Sequence, residues 1–218
     1  MGRSLPGILG YLPQPSIALR QNIERTLQEL PPGARLLDVG AGGRIIAPGV
    51  VTLDAVPYTG VAIVGDVHHL PLADNQFDCV FCTGVLEHIR DPWQVVREIH
   101  RVLKPGGIIH LDAPFMQAFH LDPVDYWRFT IDGLRQLCRE FEEIDAGVQI
   151  GPSCGVYWIL REYMDSCFTN NRYLARMLLV LTAYLLAPMR YLDYWTQRQG
   201  ESFKVASAFY YRGTKKAP

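Results

Sequence analysis

Three aspartates, Asp38, Asp54 and Asp66, stand at the ends of short apolar runs covering residues 34–39, 50–54 and 61–66. An ionised carboxylate only accepts hydrogen bonds, whereas hydroxyls and amines donate them. At neighbouring strand ends, Asp54 suits the two hydroxyls of a ribose, and Asp66 suits an exocyclic amine such as that of adenine. Between the first two lies Gly40-Ala41-Gly42-Gly43, a turn in which a ligand can rest against bare backbone. A single aspartate of this kind can merely cap a turn. Three at successive strand ends point to a nucleoside.

The elements that must position these residues follow from the pattern of the chain. Residues 15–30 carry Ile17, Leu19, Ile23, Leu27 and Leu30 at roughly helical spacing, and Pro31-Pro32-Gly33 stops the helix. Strands are expected over residues 34–39, 50–54, 61–66, 77–82 and 108–112. Asp91-Pro92 opens a helix with Asp as cap and Pro in the first turn. Its core face is Val95, Val96, Ile99 and Leu103, and Lys104-Pro105-Gly106-Gly107 closes it. Thr130 caps another helix reaching about residue 140, and residues 141–150 supply a sixth strand. Strands alternating with helices give an α/β domain with a mostly parallel sheet. The links 43–49 and 55–60 are too short for full crossover helices, so that edge of the sheet should be thinly covered.

The ordered set Leu-Asp-Val-Gly-Ala-Gly-Gly at 37–43, Leu-Asp at 53–54, Val-Gly-Asp-Val-His-His-Leu-Pro at 64–71 and Phe-Asp-Cys-Val at 77–80 resembles the class I S-adenosylmethionine-dependent methyltransferases of type 11. Val-Leu-Glu-His at 85–88 and Arg-Val-Leu-Lys-Pro-Gly-Gly at 101–107 continue the resemblance. It implies a Rossmann-like fold: a seven-stranded, mostly parallel sheet with the last strand antiparallel, here with shortened helices after strands 1 and 2. It implies S-adenosylmethionine as cofactor, with Gly40, Ala41 and Gly42 under its methionyl part and Asp38 nearby. Asp54 and Ala55 would meet the ribose, Asp66 and Val67 the adenine, and Thr83 would complete the pocket. Arg44 stands where the family often has a third glycine.

Methyl transfer is an in-line displacement in which the enzyme aligns the partners and excludes water. A base is needed only when the nucleophile must lose a proton. The loop after the fifth strand carries His120, Asp122, Asp125, Tyr126 and Arg128. His120 is the first choice of base, with Asp122 or Asp125 orienting it, and His88 is the second. The plainer role for Asp125, Tyr126 and Arg128 is to brace the loop. His110 reads as a core residue, and His68 and His69 as part of the pocket wall. No set of His, Cys and carboxylates has ligand spacing along the sequence, so no metal is expected.

One domain is expected over 1–218: an N-terminal helix (1–33), a cofactor-binding core (34–150), an apolar helical cap (151–200) and a last strand with tail (201–218). The strand is placed at residues 203–211. In the resembling family the cap leaves the sheet at the cofactor edge, which puts it over the pocket. Within it, Met177 to Met189 runs 13 residues without a charge, short of the ~20 that span a bilayer. Such a segment is buried as a lid helix or pressed into lipid, with residues 173–195 as a peripheral membrane contact. The acceptor class expected is therefore a small-molecule or lipid-linked substrate, methylated at oxygen.

A net charge of −1 supplies no basic face for nucleic acid, and none is expected as a substrate. Cys79, Cys82, Cys138, Cys154 and Cys167 form an odd set without a disulfide framework, which suits a reducing, cytoplasmic setting. Cys79 and Cys82 would face opposite sides of a strand. Residues 1–12 lack the pattern of a signal peptide. Two rival readings share the acidic strand ends: a nicotinamide-dependent oxidoreductase and a non-catalytic methyltransferase-like module. The first wants a third glycine where Ile45 stands.

Overall fold

Helix α1 (Leu19–Glu29) lays one apolar stripe on the sheet, where Ile23 and Leu27 meet Leu36, Cys79, Phe81 and Ile108. The computed structural model describes residues 19–120, 123–167, 172–196, 198 and 200–216. The start of the expected first helix, the signal-peptide reading of residues 1–12, and Asp122 lie outside them.

The strands are β1 (Leu36–Val39), β2 (Val51–Asp54), β3 (Ile63–Val64), β4 (Phe77–Thr83), β5 (Leu103–Pro114), β6 (Phe141–Ile150) and β7 (Ala208–Lys215). They form one sheet in the order β3-β2-β1-β4-β5-β7-β6. The neighbours among β1 to β5 are parallel, and β7 runs antiparallel to both β5 and β6. Residues 40–50 and 55–62 contain turns and no helix, so the β3 edge is bare as the short links require.

Helices α2 (Pro92–Val102) and α3 (Ile131–Leu137) cover the sheet face opposite α1. Asp91 Oδ1 accepts from the Gln94 amide at 3.1 Å, and Thr130 Oγ1 accepts from the Gly133 amide at 3.0 Å. Both caps are the ones their residue types foretell. Cys79 packs with the α1 layer and Cys82 with the α2 layer. Both thiols are fully buried, and burial pushes each well above the usual thiol range.

Three boundaries differ from expectation. β3 keeps only two paired residues, because its short links hold just its end against β2. β5 begins at Leu103, since Leu103 already pairs with Phe77 ahead of an irregularity in the register. The last strand starts at Ala208, where it meets Pro114, while Ser202–Val205 forms a 3-10 turn.

The cap comprises α4 (Pro152–Cys167), α5 (Arg172–Leu186), a 3-10 segment (Ala187–Leu192) and α6 (Asp193–Thr196). Val180 and Leu186 of α5 pack with Tyr157 and Trp158 of α4. Met177, Leu181, Tyr184 and Leu185 on the same helix stay exposed. The apolar run is thus buried on one side only. No helix of the described residues is long and apolar enough to cross a membrane.

Candidate active site

The ends of β1, β2 and β3 lie side by side. Val39 is in register with Leu53, and Asp54 with Val64. The Gly40 and Ala41 amides both donate to the Leu53 carbonyl, at 2.8 and 3.1 Å, which folds the glycine turn over β2. Gly40 has φ +72°, and a Cβ there would collide with the Val85 side chain. Gly42 has φ +57° with open space where a Cβ would stand. Glycine is needed at the first for room and at both for conformation.

Asp54 Oδ2 accepts from the Gly42 amide at 2.8 Å, and Oδ1 accepts from the Val56 amide at 2.9 Å. Asp54 therefore fastens the glycine turn to the next loop and keeps lone pairs for a ligand. Ala55 follows it, exposed. Asp66 sits beyond β3, exposed, and accepts from the His68 amide at 2.9 Å; its carboxylate also faces His68 Nδ1 at 2.7 Å. The His68 contacts, the backbone one first, hold the Asp66 carboxyl below its usual range. Val67 is buried in the main core.

Asp38 is fully buried, and neither of its carboxylate oxygens has a hydrogen-bond partner among the described residues. Burial raises its pKa to about 6, against the opposing pull of Arg44. The Arg44 guanidinium lies 3.6 Å from Asp38 and donates to Thr83 Oγ1 at 2.5 Å. The site of the missing third glycine thus carries a cation that leans across the turn.

Beside these ends opens a cavity of about 240 Å³. Arg44, Thr83, Glu87, His88, Asp112 and His120 line it, and Trp158 reaches it from α4. Among the described residues of 151–200, Trp158 is the one that lines the cavity. Asp54 and Asp66 do not line this cavity; they stand along the open edge next to it.

His88 and His120 are brought together by backbone ties between two segments. His88 belongs to the 3-10 turn Leu86–His88 after β4, and His120 to the loop after β5. The Tyr126 amide donates to the Glu87 carbonyl at 2.7 Å, and His88 Nδ1 donates to the Val124 carbonyl at 2.5 Å. The two imidazole rings meet edge to face, 5.2 Å between centroids. Asp125 accepts from the His120 amide at 2.9 Å and is paired with Arg128. The hydrogen bond from Arg128 is the main cause that holds its carboxyl down at about 2. His120 Nδ1 is 3.7 Å from that carboxylate and donates instead to the Ala118 carbonyl at 3.3 Å. Asp125 acts on the loop more than on the ring.

Three residues here escaped sequence reasoning as site residues: Arg44, Glu87 and Asp112. Glu87 and Asp112 are buried, and burial raises each to about 7. Asp112 Oδ1 accepts from the Gly84 amide at 2.9 Å. The rule that flags Asp54, a carboxylate closing an apolar strand, would have flagged Asp112 as well. His110 is a core residue as expected, 2.8 Å from Thr26 Oγ1.

Residues 46–111 match the family described as methyltransferase domain, and the sheet has the seven strands and the antiparallel last strand that the sequence resemblance implied. The match and the sheet together support a class I S-adenosylmethionine-dependent methyltransferase. Among its relatives, a ubiquinone biosynthesis O-methyltransferase of Pseudomonas aeruginosa is 31% identical over 109 residues, 37% of this chain and 44% of that protein. A tRNA U34 carboxymethyltransferase of Campylobacter curvus is 35% identical over 84 residues, 34% of this chain and 28% of that protein. The chain spans about half or less of the length of the curated relatives it matches. The crystal structure of the [4+2]-cyclase SpnF has the same fold, with TM-score 0.58 and 18% identity over 91% of this chain and 81% of that one. With a tRNA enzyme among the relatives, the sequence-based exclusion of nucleic acid has no support from this comparison.

Proposed function

We propose that the chain transfers a methyl group from S-adenosylmethionine to an oxygen of a small or lipid-like acceptor. The observation that carries the reading is the single edge on which adjacent strand ends meet a cavity holding two imidazoles. The residues fit the cofactor: Asp38 is a dry carboxylate without a hydrogen-bond partner among the described residues, and the Gly42 Cα faces open space. Asp54 and Ala55 would hold the ribose, Asp66 and Val67 the adenine, and Asp38, Gly40, Ala41 and Gly42 the methionyl part, with Thr83 beside it.

When bound, the cofactor supplies a methyl group made electrophilic by a positive sulfur. The chain's own part is alignment and proton handling. Each imidazole spends Nδ1–H on a carbonyl, which leaves Nε2 as acceptor. His120 Nε2 takes the proton of the acceptor hydroxyl, His88 flanks it, and Asp125 keeps the loop that carries His120 in place. Trp158 roofs the site and limits water. The outward apolar face of α5 favours a lipid-like acceptor or one presented at a membrane surface.

Calorimetric titration with S-adenosylhomocysteine and, separately, with NAD tests the cofactor. Binding of the first alone supports the reading, and binding of NAD alone overturns it. A cell extract supplied with methyl-labelled S-adenosylmethionine then tests the transfer. A labelled product that needs the protein, and forms from an acceptor hydroxyl, is expected. An inert module gives none.

A further inference from the structure

We infer that Glu87, His88 and His120 form a binding site for a divalent transition-metal ion in the cavity. The role given to that ion rests on the transferase reading above; the site itself does not.

One ligand atom from each of the three residues lies within 4.8 Å of the other two. Donors around a tetrahedral cation at ~2.1 Å are about 3.4 Å apart, so the three need to close by roughly 1 Å. His88 Nε2 is already 3.9 Å from Glu87 Oε1. Small rotations of the two imidazoles suffice.

Three features of the cluster go beyond proximity. Both histidines are pinned by Nδ1–H to a backbone carbonyl, Val124 for one and Ala118 for the other. That is how metal-bound imidazoles are commonly oriented, since it fixes the tautomer and turns Nε2 toward the ion. Glu87 is 5% exposed, lines the cavity, and its Oε2 has no hydrogen-bond partner among the described residues. A dry, unpartnered carboxylate oxygen is costly, and a cation is the partner that removes the cost. The Tyr126 amide on the Glu87 carbonyl ties the two ligand-bearing segments together.

Two nitrogens and one oxygen select Zn²⁺, Co²⁺, Ni²⁺ or Fe²⁺ over Mg²⁺ and Ca²⁺, which prefer oxygen donors. Three protein ligands leave a position open for the acceptor. An acceptor hydroxyl bound there would give its proton to water and be held as an oxyanion on the ion, in the cavity that Thr83 and Arg44 also line. In that state the imidazoles are ligands, and the ion takes over from His120 the task of generating the nucleophile.

The untagged chain, stripped with EDTA, is titrated with Co²⁺ by visible absorbance and with Zn²⁺ by calorimetry. One saturable equivalent is expected. His120→Ala, on a partly exposed loop position, should weaken it at least 100-fold while melting like the wild type, and Glu87→Gln at least tenfold. His69→Ala, on an exposed histidine outside the cluster, should leave it unchanged. Absence of saturable binding, or a His120→Ala titration like the wild type, overturns the site. S-adenosylhomocysteine titrated into the same preparation separates the two readings. Nucleoside binding without cation binding sinks the metal site and spares the transferase. Cation binding without nucleoside binding does the reverse.

Discussion

Arg44 reaches to 3.6 Å from Asp38, a carboxylate shut away from solvent and without a hydrogen bond among the described residues. The pair sets the electrostatics of the glycine turn. Burial lifts Asp38 from 3.8 to about 6, with the Arg44 cation pulling the other way. Between those values the unfolded chain has lost the proton that the folded protein keeps. Native stability therefore falls as pH rises through that window, by at most about 3 kcal/mol. Urea midpoints across the range should show this step. Asp38→Asn should abolish it, and Arg44→Ala should extend it to higher pH.

Asp54→Ala removes two bonds to backbone amides, Gly42 and Val56, each contributing about 1 kcal/mol. It also removes the acceptor proposed for the ribose. S-adenosylhomocysteine affinity should fall at least tenfold with only a small drop in melting temperature. Calorimetry showing near-normal affinity would contradict the placement.

Asp125→Ala deprives Arg128 and the His120 amide of their shared partner. Arg128 remains partly exposed, so the expected destabilisation is about 2–3 kcal/mol, below that of breaking a fully buried pair. Because the residue acts on the loop, methyl transfer should suffer while S-adenosylhomocysteine affinity does not. Thermal melts and a cofactor titration on one preparation check both halves.

Arg212→Leu should be the most damaging change away from the pocket. The guanidinium is 1% exposed and bonds Asp145 at 2.7 and 3.0 Å, Glu29 at 2.7 Å and Thr26 at 3.2 Å. Its loss leaves Asp145 and Glu29 with Arg25 as their remaining cation, at a cost of about 2–4 kcal/mol. The contacts with Arg212 lower both carboxyls, working against their desolvation. Their stabilisation is present above their unfolded pKa and is lost as pH falls through the folded one. Acid denaturation should reveal that loss in the wild type, and the variant, left with Arg25 alone beside the two carboxyls, should show a smaller one.

How much of this could be read from the chain depends on range. Asp38, Asp54 and Asp66 were legible because each sits at the end of its own apolar run, and sheet topology puts such ends side by side. His88 and His120 were legible singly. Their meeting was not, since it depends on Tyr126 and Val124 pairing with the turn after β4, contacts no local pattern encodes. Glu87 was hidden for the same reason: the loop that ties down its segment is distant in sequence. Val205 and Ala206 looked like strand. The register of Ala208 on Pro114 starts the strand later, and only the sheet decides that.

β7 is the last strand in sequence, yet it lies between β5 and β6. Until residues 208–215 have emerged from the ribosome, β6 has no neighbour in the sheet and Arg212 cannot join α1. A product clipped before residue 208 would lose the seam between two strands along with its tail, and would expose two raw β edges to its surroundings.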